Sequence, residues 1–288
     1  MIEIEHIQAE LDKIDINIWN ELEEKSRRYI QYFNTNSITN IRVKEKKWLL
    51  ICFVADTHFG NNGVDYAQAR IDAQKIGNCE YAYAIGGGDY IDNFIRTKIL
   101  EALIDQTTTP VQQIQLLKEY LEFFNNRMIL LLGGNHDLWS KSVSGIDWLK
   151  TFADQNQIIY HPHQIITRFI FSDEVEYLIK IRHKFNMNSR YNKTHAVKQM
   201  LRFGEELFDI GVICHHHDPS IEQTYELGED RVFIRTGSYK IVDKFSLKCG
   251  YNMAKSIMPC VALNPDRREM ATFFHLDHGI NFVNNMNN

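Results

Sequence analysis

The stretch "LLLGGNHDLW" at residues 130–139 joins the pattern of a buried strand to three polar side chains. Its three leucines form a continuous apolar run, and two glycines and then Asn135, His136 and Asp137 follow at once. Polar groups lose solvation when they are packed, so such a cluster needs partners from elsewhere in the chain. The stretch therefore predicts a strand that ends where other polar groups gather.

The rest of the chain repeats this order of apolar strand, loop and helix. The predicted strands lie at 48–55, 81–85, 128–132, 177–181, 210–214 and 231–236. The predicted helices lie at about 64–77, 97–106, 110–126, 144–154 and 194–209. Alternating strands and helices indicate an α/β fold, and strands that are apolar throughout indicate sheets covered on both faces.

Five of the predicted strands end in residues that can bind a metal ion or exchange a proton. In chain order these residues are Asp56 and His58; Asp89 and Asp92; Asn135, His136 and Asp137; His183; and His215, His216 and His217. Ligands of open α/β sheets bind at the carboxyl edge of the strands, because the loops from that edge converge in one crevice. We therefore expect these side chains to form one site.

The two ends of the chain follow a different pattern. Residues 4–22 have apolar side chains at intervals of three and four, which predicts an amphipathic helix. We assign residues 1–47 to an N-terminal helical extension, with a loop at 34–40, and residues 48–288 to one domain. The helix either docks on the domain surface or forms a short coiled coil with a second copy, which would give a homodimer. Beyond residue 245, the segments "VALN", "ATFFHL" and "INFV" predict further strands.

The composition is that of an ordinary globular protein. The 288 residues are 44% hydrophobic and 24% charged, and the net charge of −5 gives no overall sign of nucleic-acid binding. The five cysteines are scattered and form no CxxC pair, which favours reduced thiols and a cytoplasmic location. We see no secretory signal, and the longest apolar runs are too short to span a bilayer, so we expect no membrane association.

The residue types at the strand ends favour a pair of metal ions. Oxygen and imidazole ligands without cysteine suit borderline-hard divalent ions such as Mn²⁺, Fe²⁺ or Zn²⁺. The strand ends offer more such ligands than one ion can use. Two ions about 3.5–4 Å apart can share a bridging carboxylate, activate a water and bind a phosphoryl oxygen during in-line attack. The glycines at 86–88 and 133–134 would let the backbone approach the ions closely.

The order of these motifs is specific as a series. The series Asp56-x-His58, Gly88-Asp89-x-x-Asp92, Gly134-Asn135-His136-Asp137, His183 and His215-x-His217 resembles the calcineurin-like metallophosphoesterases. The resemblance runs from about residue 50 to 240. It implies a four-layer α/β/β/α sandwich of two mixed β-sheets flanked by helices. It also implies hydrolysis of phosphate esters by a dinuclear metal centre, with a metal-bound hydroxide as the nucleophile.

The resemblance implies a role for each residue. Asp56, His58 and His217 would bind the first metal, Asn135, His183 and His215 would bind the second, and Asp89 would bridge the two. His136 would act as a general acid for the leaving oxygen or stabilise developing charge, oriented by a hydrogen bond to Asp137. Asp92 would lie beyond the ligands and support them. Mn²⁺ is the favoured ion, and Fe, Zn, Ni and Mg are alternatives.

The last motif departs from the family pattern in one place. The family usually has a glycine before the final His-x-His pair, where this chain has Cys214. Cysteine is small and often buried, so we expect the strand end to keep its geometry. Strand alternation places His215 and His217 on one side and His216 on the other, in agreement with the motif.

A basic segment follows His183 and bears on the substrate. Residues 180–202 contain seven lysines and arginines and no acidic residue. The segment is either a solvated basic face or a binding surface for additional substrate phosphates. The candidate contacts are Arg182, Lys184, Arg190 and Lys193. The sequence of this region is also similar to a phage and prophage subgroup of the same superfamily. That similarity favours a nucleotide or nucleic-acid substrate and, for a phage protein, a location in the bacterial host cytoplasm.

Three functions stay open at this point. The first is a dinuclear-metal phosphoesterase, most favourably a phosphodiesterase acting on a nucleotide or nucleic acid. The second is a catalytically inactive binding or scaffold module on the same fold. The third is a phosphomonoesterase or protein phosphatase, which is ranked lowest because the flanking similarity expected of the protein phosphatases is absent from the sequence.

Overall fold

The structure is a computed structural model that describes residues 16–34, 38–93, 104–204, 206–250 and 253–288. The chain divides into two compact units, residues 1–37 and residues 38–288. None of the helices in the described ranges combines the length and the apolar character that a bilayer span requires.

The described residues form eight helices and twelve strands. The helices are α1 (Ile16–Asn34), α2 (Tyr66–Asn78), α3 (Pro110–Glu122), α4 (Asn135–Ser144), α5 (Trp148–Gln155), α6 (His195–Phe203), α7 (Lys244–Lys248) and α8 (Leu276–Asn287). The first six strands are β1 (Ile38–Arg42), β2 (Leu49–Val54), β3 (Ala82–Gly86), β4 (Met128–Leu132), β5 (Ile159–His161) and β6 (Gln164–Ile170). The last six are β7 (Glu176–Arg182), β8 (Ile210–Ile213), β9 (Ser220–Glu226), β10 (Glu229–Arg235), β11 (Cys260–Leu263) and β12 (Met270–Phe273).

The strands form two mixed six-stranded sheets. Sheet A has the order β1-β6-β7-β8-β10-β9, and sheet B has the order β12-β11-β2-β3-β4-β5. In sheet B, β2, β3, β4 and β5 run parallel, whereas β11 and β12 are antiparallel to their neighbours. In sheet A, β7, β8 and β10 run parallel to one another. The strands that carry the predicted site residues therefore end at a common edge within each sheet.

The alternation of side chains along β2 explains the layered architecture. Ile51 and Phe53 point into the core between the sheets, where Ile179 of β7 and Val212 of β8 also lie. Their neighbour Cys52 points to the other face of sheet B, which is covered by α2, α3 and α8. Because both faces of β2 are buried, its apolar run needs no polar alternation.

Sheet A is covered on its outer face by α6. Val197 and Met200 of this helix pack against Ile213 of β8 and Phe233 of β10. The order of layers is therefore helices, sheet B, sheet A and helix α6, which confirms the predicted α/β/β/α sandwich. Burying each such side chain stabilises the fold by roughly 1.5–3 kcal/mol.

Several predicted elements differ from the structure. The segment "INFV" was expected to be a strand but belongs to α8, because Leu276, Ile280 and Val283 follow the spacing of four and three that buries one helix face. The expected loop at 34–40 includes the start of β1, which pairs with β6 in parallel and lies N-terminal to the predicted domain boundary at 47.

Other differences concern the helices. The predicted helix at 144–154 corresponds to α5 alone, while the preceding "NHDLWSKSVS" forms a separate helix, α4. Gly145 ends α4 in the left-handed conformation with φ of 75°, a position that glycine adopts without strain. Residues 97–103 of the predicted helix at 97–106 lie outside the described residues. Strands β11 and β12 confirm the two strands expected at "VALN" and "ATFFHL".

The N-terminal unit contains α1, which continues past the end of the predicted helix to Asn34. Residues 4–15 of the predicted helix lie outside the described residues. Within α1, the pairs Lys25–Glu21 and Arg28–Glu24 are spaced by four residues and stabilise the helix only weakly, since all four side chains are exposed.

Helix α8 fixes the beginning of β2 through one asparagine. The side chain of Asn287 accepts a hydrogen bond from the backbone N–H of Trp48 at 2.8 Å and donates one to the Trp48 carbonyl oxygen at 2.9 Å. Asn287 is buried, so water cannot easily replace either bond. The C-terminal helix thereby pairs both backbone groups of the residue that precedes β2.

We expect Asn287→Ala to destabilise the protein by about 1–3 kcal/mol, because it leaves a buried N–H and a buried carbonyl without partners. Equilibrium unfolding in urea measures the change. Asn285→Ala is the matched control, since Asn285 lies on the same helix and is exposed. Equal effects of the two substitutions would contradict the role assigned to Asn287.

Candidate metal centre

The loops after five strands bring the predicted ligands together. Asp56 and His58 follow β2, Asp89 follows β3, Asn135 follows β4, His183 follows β7, and His215 and His217 follow β8. The first four residues come from sheet B and the last three from sheet A. The site therefore lies where the carboxyl edges of the two sheets meet, as the strand-end pattern predicted.

One half of the site consists of Asp56, His58 and His217. The Nε2 atoms of His58 and His217 are 3.1 Å apart, and Asp56 Oδ1 lies 3.2 Å from His217 Nε2 and 4.0 Å from His58 Nε2. Three potential ligand atoms thus converge on one point. The loop after β8 is joined to this half, because the backbone N–H of His215 donates a hydrogen bond to Asp56 Oδ2 at 3.0 Å.

The other half consists of Asp89, Asn135, His183 and His215. His183 Nε2 lies 3.1 Å from Asp89 Oδ2, 3.2 Å from His215 Nδ1 and 3.2 Å from Asn135 Oδ1. The opposite ring nitrogen, His183 Nδ1, donates to the Gly87 carbonyl oxygen at 2.8 Å. That bond leaves Nε2 as the nitrogen that faces the site and that could bind an ion after losing its proton.

Asp89 links the two halves. Its carboxylate forms one cluster with His183 and His215 and another with His58 and His136. Its second oxygen, Oδ1, accepts a hydrogen bond from the backbone N–H of His136 at 2.8 Å. A carboxylate in this central position can bridge two ions, which is the role the resemblance implies.

The donor set fits divalent cations. Asp56, His58 and Asp89 are almost fully buried, and Asp56 Oδ1 has no hydrogen-bond partner within the described part of the chain. A buried carboxylate oxygen without a donor is costly unless a cation neutralises it. Carboxylate, amide oxygen and imidazole nitrogen are ligands that Mn²⁺, Fe²⁺ and Zn²⁺ accept. The residues therefore suit two divalent ions.

The backbone of the ligand loops is strained. The five ligands with left-handed backbone conformations, at φ between 47° and 73°, are Asp56, His58, Asp89, His215 and His217. Such positions cost on the order of 1–3 kcal/mol for residues other than glycine and cluster at functional sites. The fold thus holds these side chains in orientations that an unconstrained chain would not favour.

The electrostatics of the site centre on Asp89 and His183. Burial raises the pKa of Asp89, but the neighbouring histidines His183 and His136 outweigh burial and hold that pKa below its ordinary value. Burial lowers the pKa of His183, yet the Asp89 carboxylate outweighs it and raises the pKa of His183 to about 10. The site therefore has a strong preference for positive charge next to Asp89.

His136 is oriented differently from the prediction. Its Nδ1 lies 2.6 Å from the carbonyl oxygen of Asp92, so this nitrogen donates to the backbone instead of to Asp137. The imidazole stacks on the indole of Trp139, with ring centroids 4.0 Å apart, and meets His58 edge-on at 4.6 Å. Its Nε2 is 4.0 Å from Asp89 Oδ2, beside the centre of the ligand cluster.

Asp137 forms hydrogen bonds with the backbone around the site. Its carboxylate accepts hydrogen bonds from the backbone N–H groups of Asp89 at 2.7 Å, Tyr90 at 3.1 Å and Gly134 at 3.0 Å. Burial, followed by the charge of Asp89, raises the pKa of Asp137 to about 7. The Asp137 carboxylate therefore joins the loops after β3 and β4, and the catalytic roles of His136 and Asp137 stay predictions.

Asp92 lies between His58 and Lys240. One oxygen, Oδ1, is 3.3 Å from His58 Nδ1 and 3.5 Å from Lys240 Nζ, and the other accepts a hydrogen bond from Asn61 Nδ2 at 2.9 Å. Lys240 is buried and is not among the site residues predicted from the sequence. The polar run "TGSYK" after the strand at 231–236 was a usable signal, because it is another strand end at the same edge.

Cys214 occupies the position that a glycine usually has in the resembling family. A Cβ atom added to Gly87 would lie 2.4 Å from Cys214 Sγ and 2.8 Å from the Cβ of Ala55. The thiol therefore fills space that is available only because residue 87 is a glycine. The substitution keeps the strand end in place, and His215 and His217 remain on the site.

The basic residues of the segment differ in their surroundings. Arg182 donates two hydrogen bonds to Gln164 Oε1, at 2.9 and 2.7 Å, and Lys193 forms an ion pair with Asp218 at 2.6 Å. Lys184 and Arg190 are exposed, and the charge of Lys184 is among the causes that lower the pKa of His215, after burial and His183. Lys184 therefore lies within electrostatic range of the site.

Arg235 was also missed by the sequence analysis. This buried residue at the end of β10 donates to Asn188 Oδ1 at 3.1 Å and lies 3.5 Å from Asp218 Oδ2. It thereby ties the basic segment to sheet A. Its position at another strand end could have identified it.

Comparison with known proteins gives matches in structure only. No family model matches the chain, and no curated protein matches it significantly. The similar solved structures include the calcineurin-like phosphoesterase YfkN from Bacillus subtilis, with 10% identity, 84% of this chain and 98% of that chain covered, and a TM-score of 0.41.

Two further structures are similar at the same level. A novel phosphatase from Mycoplasma pneumoniae has 10% identity, coverage of 80% of this chain and 94% of that chain, and a TM-score of 0.39. A predicted phosphoesterase from Streptococcus pneumoniae has 14% identity, coverage of 78% and 97%, and a TM-score of 0.36. Similarity at this level assigns neither a family nor an activity, so the function is inferred from the site itself.

We expect Gly87→Ala to destabilise the protein by about 1–3 kcal/mol, since the new methyl group collides with the Cys214 thiol. In a Cys214→Gly background the collision with sulfur is removed, so the same substitution should cost less, with a coupling of about 0.5 kcal/mol or more. A double-mutant cycle by urea unfolding measures this coupling. Strictly additive effects would show that the thiol does not fill the space beside Gly87.

Proposed function

We propose that the protein is a dinuclear-metal-dependent phosphoesterase of the calcineurin-like superfamily, and that it hydrolyses phosphodiesters of a nucleotide or nucleic acid. The observation that carries the proposal is a pair of neighbouring clusters of potential ligands, one of Asp56, His58 and His217 and one of Asp89, His183 and His215, with Asp89 also clustered with His58. A single-ion site would need only one of these clusters. An accidental gathering of polar strand ends would not place three potential ligand atoms around each of two neighbouring points.

Asp56, His58 and His217 would hold one ion, and Asn135, His183 and His215 would hold the other. Two bound divalent ions would supply the activated water and the positive charge that in-line attack on phosphorus requires. Mn²⁺ is the ion we favour, because the set combines carboxylate, amide and imidazole ligands without thiolate. Fe, Zn, Ni and Mg remain alternatives that metal replacement distinguishes.

His136 is the residue we assign to proton transfer. A carbonyl oxygen can only accept a hydrogen bond, so the contact with Asp92 O fixes the proton on His136 Nδ1. Nε2 is then the nitrogen that exchanges a proton with the leaving oxygen or binds developing negative charge. The stacked Trp139 holds the ring in this orientation. Asp137 contributes by fixing the two loops on which Asp89 and His136 lie.

The basic segment supports a substrate with more than one phosphate. Lys184 and Arg190 are exposed, and Lys184 lies within electrostatic range of the ligand His215. Exposed cations beside a phosphoryl-transfer centre bind phosphates that flank the reacting one. Arg182 binds Gln164, and Lys193 binds Asp218. We therefore assign these two residues to holding the segment in shape in preference to contacting the substrate.

Two finer assignments come from the sequence. The similarity of residues 180–202 to a phage and prophage subgroup underlies the choice of nucleotide or nucleic acid. The five cysteines, which are all free, underlie the proposed cytoplasmic location. A homodimer through the N-terminal helix stays a prediction, tested by the oligomeric state in solution.

Metal-stripped protein supplied with Mn²⁺ should hydrolyse bis-p-nitrophenyl phosphate. Asp89→Asn should lose both activity and metal, because Asp89 belongs to one cluster and lies next to His58 of the other. His136→Ala should retain two ions and lose turnover by roughly 100-fold or more, since it removes only the proton-transfer group. Release of p-nitrophenol and metal content by atomic absorption are the two measurements. Asp173→Asn, an exposed aspartate, is the control.

The outcomes separate the remaining functions. Faster hydrolysis of p-nitrophenyl phosphate than of the diester would favour a phosphomonoesterase or protein phosphatase. Two bound ions without turnover on either substrate would favour a binding module. Loss of metal from His136→Ala would show that His136 is a ligand, as its place beside Asp89 and His58 allows.

For the substrate, we expect the double variant Lys184→Ala/Arg190→Ala to lose activity on single-stranded oligonucleotides but not on bis-p-nitrophenyl phosphate. The dependence of log kcat/KM on log salt concentration should become shallower by about 1 for each lost phosphate contact. Lys46→Ala/Lys118→Ala removes the same charge from exposed positions elsewhere and serves as the control. An equal loss on both substrates would argue against a separate phosphate-binding surface.

A further inference from the structure

Lys240 is a buried cation next to the candidate metal centre. It follows β10 in the segment 236–240, and its side chain is 8% exposed. Removing an ammonium group from water is costly unless anions replace the lost hydration. Asp243 Oδ2 at 3.0 Å and Asp92 Oδ1 at 3.5 Å provide that compensation. A fold that needed only core packing would place an apolar side chain here.

Asp92 connects Lys240 to a ligand. The same oxygen that faces Lys240 lies 3.3 Å from His58 Nδ1, while Asn61 holds the other carboxylate oxygen at 2.9 Å. The Nε2 atom of His58, on the far side of the ring, points to His217 in the first half of the centre. Lys240, Asp92 and His58 thus form a continuous line of contacts that ends at a ligand atom.

The rest of the segment 236–240 contacts the same loop. Ser238 Oγ donates to the Asp56 carbonyl oxygen at 2.7 Å, and the Tyr239 backbone N–H donates to the same oxygen at 3.2 Å. The Lys240 backbone N–H in turn donates to Ser238 Oγ at 2.9 Å. The end of β10 therefore supports the loop that presents Asp56 and His58, although it contributes no ligand itself.

The second half of the centre has a different support. His183 Nδ1 donates to the Gly87 carbonyl oxygen, a backbone group that needs no side-chain cation to hold it. The two halves therefore depend on separate devices. A carboxylate next to a lysine lies 3.3 Å from His58 Nδ1, whereas a peptide carbonyl accepts a hydrogen bond from His183 Nδ1.

We propose that Lys240 is a positioning residue for the ion-binding half formed by Asp56, His58 and His217, because it holds Asp92 against His58 Nδ1 and so directs Nε2 toward the ion. The role rests on the proposed metal centre. It predicts an asymmetry that a purely structural role does not: loss of Lys240 weakens one ion site and spares the other.

Stepwise Mn²⁺ affinities measured by isothermal titration calorimetry on metal-stripped full-length protein test the proposal. Lys240→Met keeps the length of the side chain and removes its charge. One of the two affinities should fall on the order of 10–100-fold, as for other residues that orient metal ligands, and the other should change little. Lys240→Arg keeps a cation near Asp92 and should restore part of the loss.

Background variants identify the affected half. With His183→Ala, which disables the second half, Lys240→Met should weaken the remaining site. With His58→Ala, which disables the first half, Lys240→Met should have little effect. Lys180→Met is the matched control, because Lys180 is another buried lysine that lies in sheet A and pairs with Glu206. This substitution should leave both affinities unchanged.

A folding check accompanies each measurement. If Lys240→Met fails to fold, Asp92→Asn tests the same contacts with the side-chain shape preserved, and it must weaken the same half. Unchanged affinities in a folded Lys240→Met protein would overturn the role of Lys240 alone, as would equal weakening of both sites. Wild-type protein that binds no divalent ion would overturn the proposed function, and this role with it.

Discussion

The Asp137 carboxylate is the contact on which the candidate site depends most directly. It accepts backbone hydrogen bonds from Asp89, Tyr90 and Gly134, and so joins the loop after β3 to the loop after β4. Each of these N–H groups would otherwise be buried without a partner at the end of a strand. The sandwich brings the strand ends to one edge, and this carboxylate then fixes the distance between the loops. The central ligand Asp89 inherits its position from that arrangement.

The sequence predicts the fold class and the gathering of polar strand ends, but it does not predict every element of the fold. Strand ends such as Asp56 and His183 could be recognised because apolar runs stop abruptly at residues that bind metals, and their order matches a known series. The segment "INFV" could not be assigned from so few residues, since a short apolar run suits a strand or a buried helix equally. Strand β1 lies before the apparent start of the domain and gains its stability from pairing with β6, which local sequence does not reveal.

The same limit explains the contacts at the site that the sequence did not predict. The contact of His136 with a backbone carbonyl, instead of with Asp137, depends on how α4 begins, and side-chain identity does not encode it. Lys240 supports a ligand more than 180 positions away in the chain, so spacing alone gives no reason to pair them. Potential metal ligands can be predicted from residue types, because only a few side chains bind metal ions. Their supports are chosen for geometry and become visible only in three dimensions.

The left-handed backbone of five candidate ligands restricts how this site could evolve. Asparagine, aspartate and histidine tolerate that conformation better than most residues, and they are also the types that bind hard or borderline ions. Backbone and ion chemistry therefore select the same small set of residues at positions such as Asp56 and His217. A branched or bulky replacement would strain the left-handed backbone, whatever its ability to bind an ion. Mutational drift at these positions is confined to exchanges among those few side chains, so the centre could change its ion more easily than its ligand types.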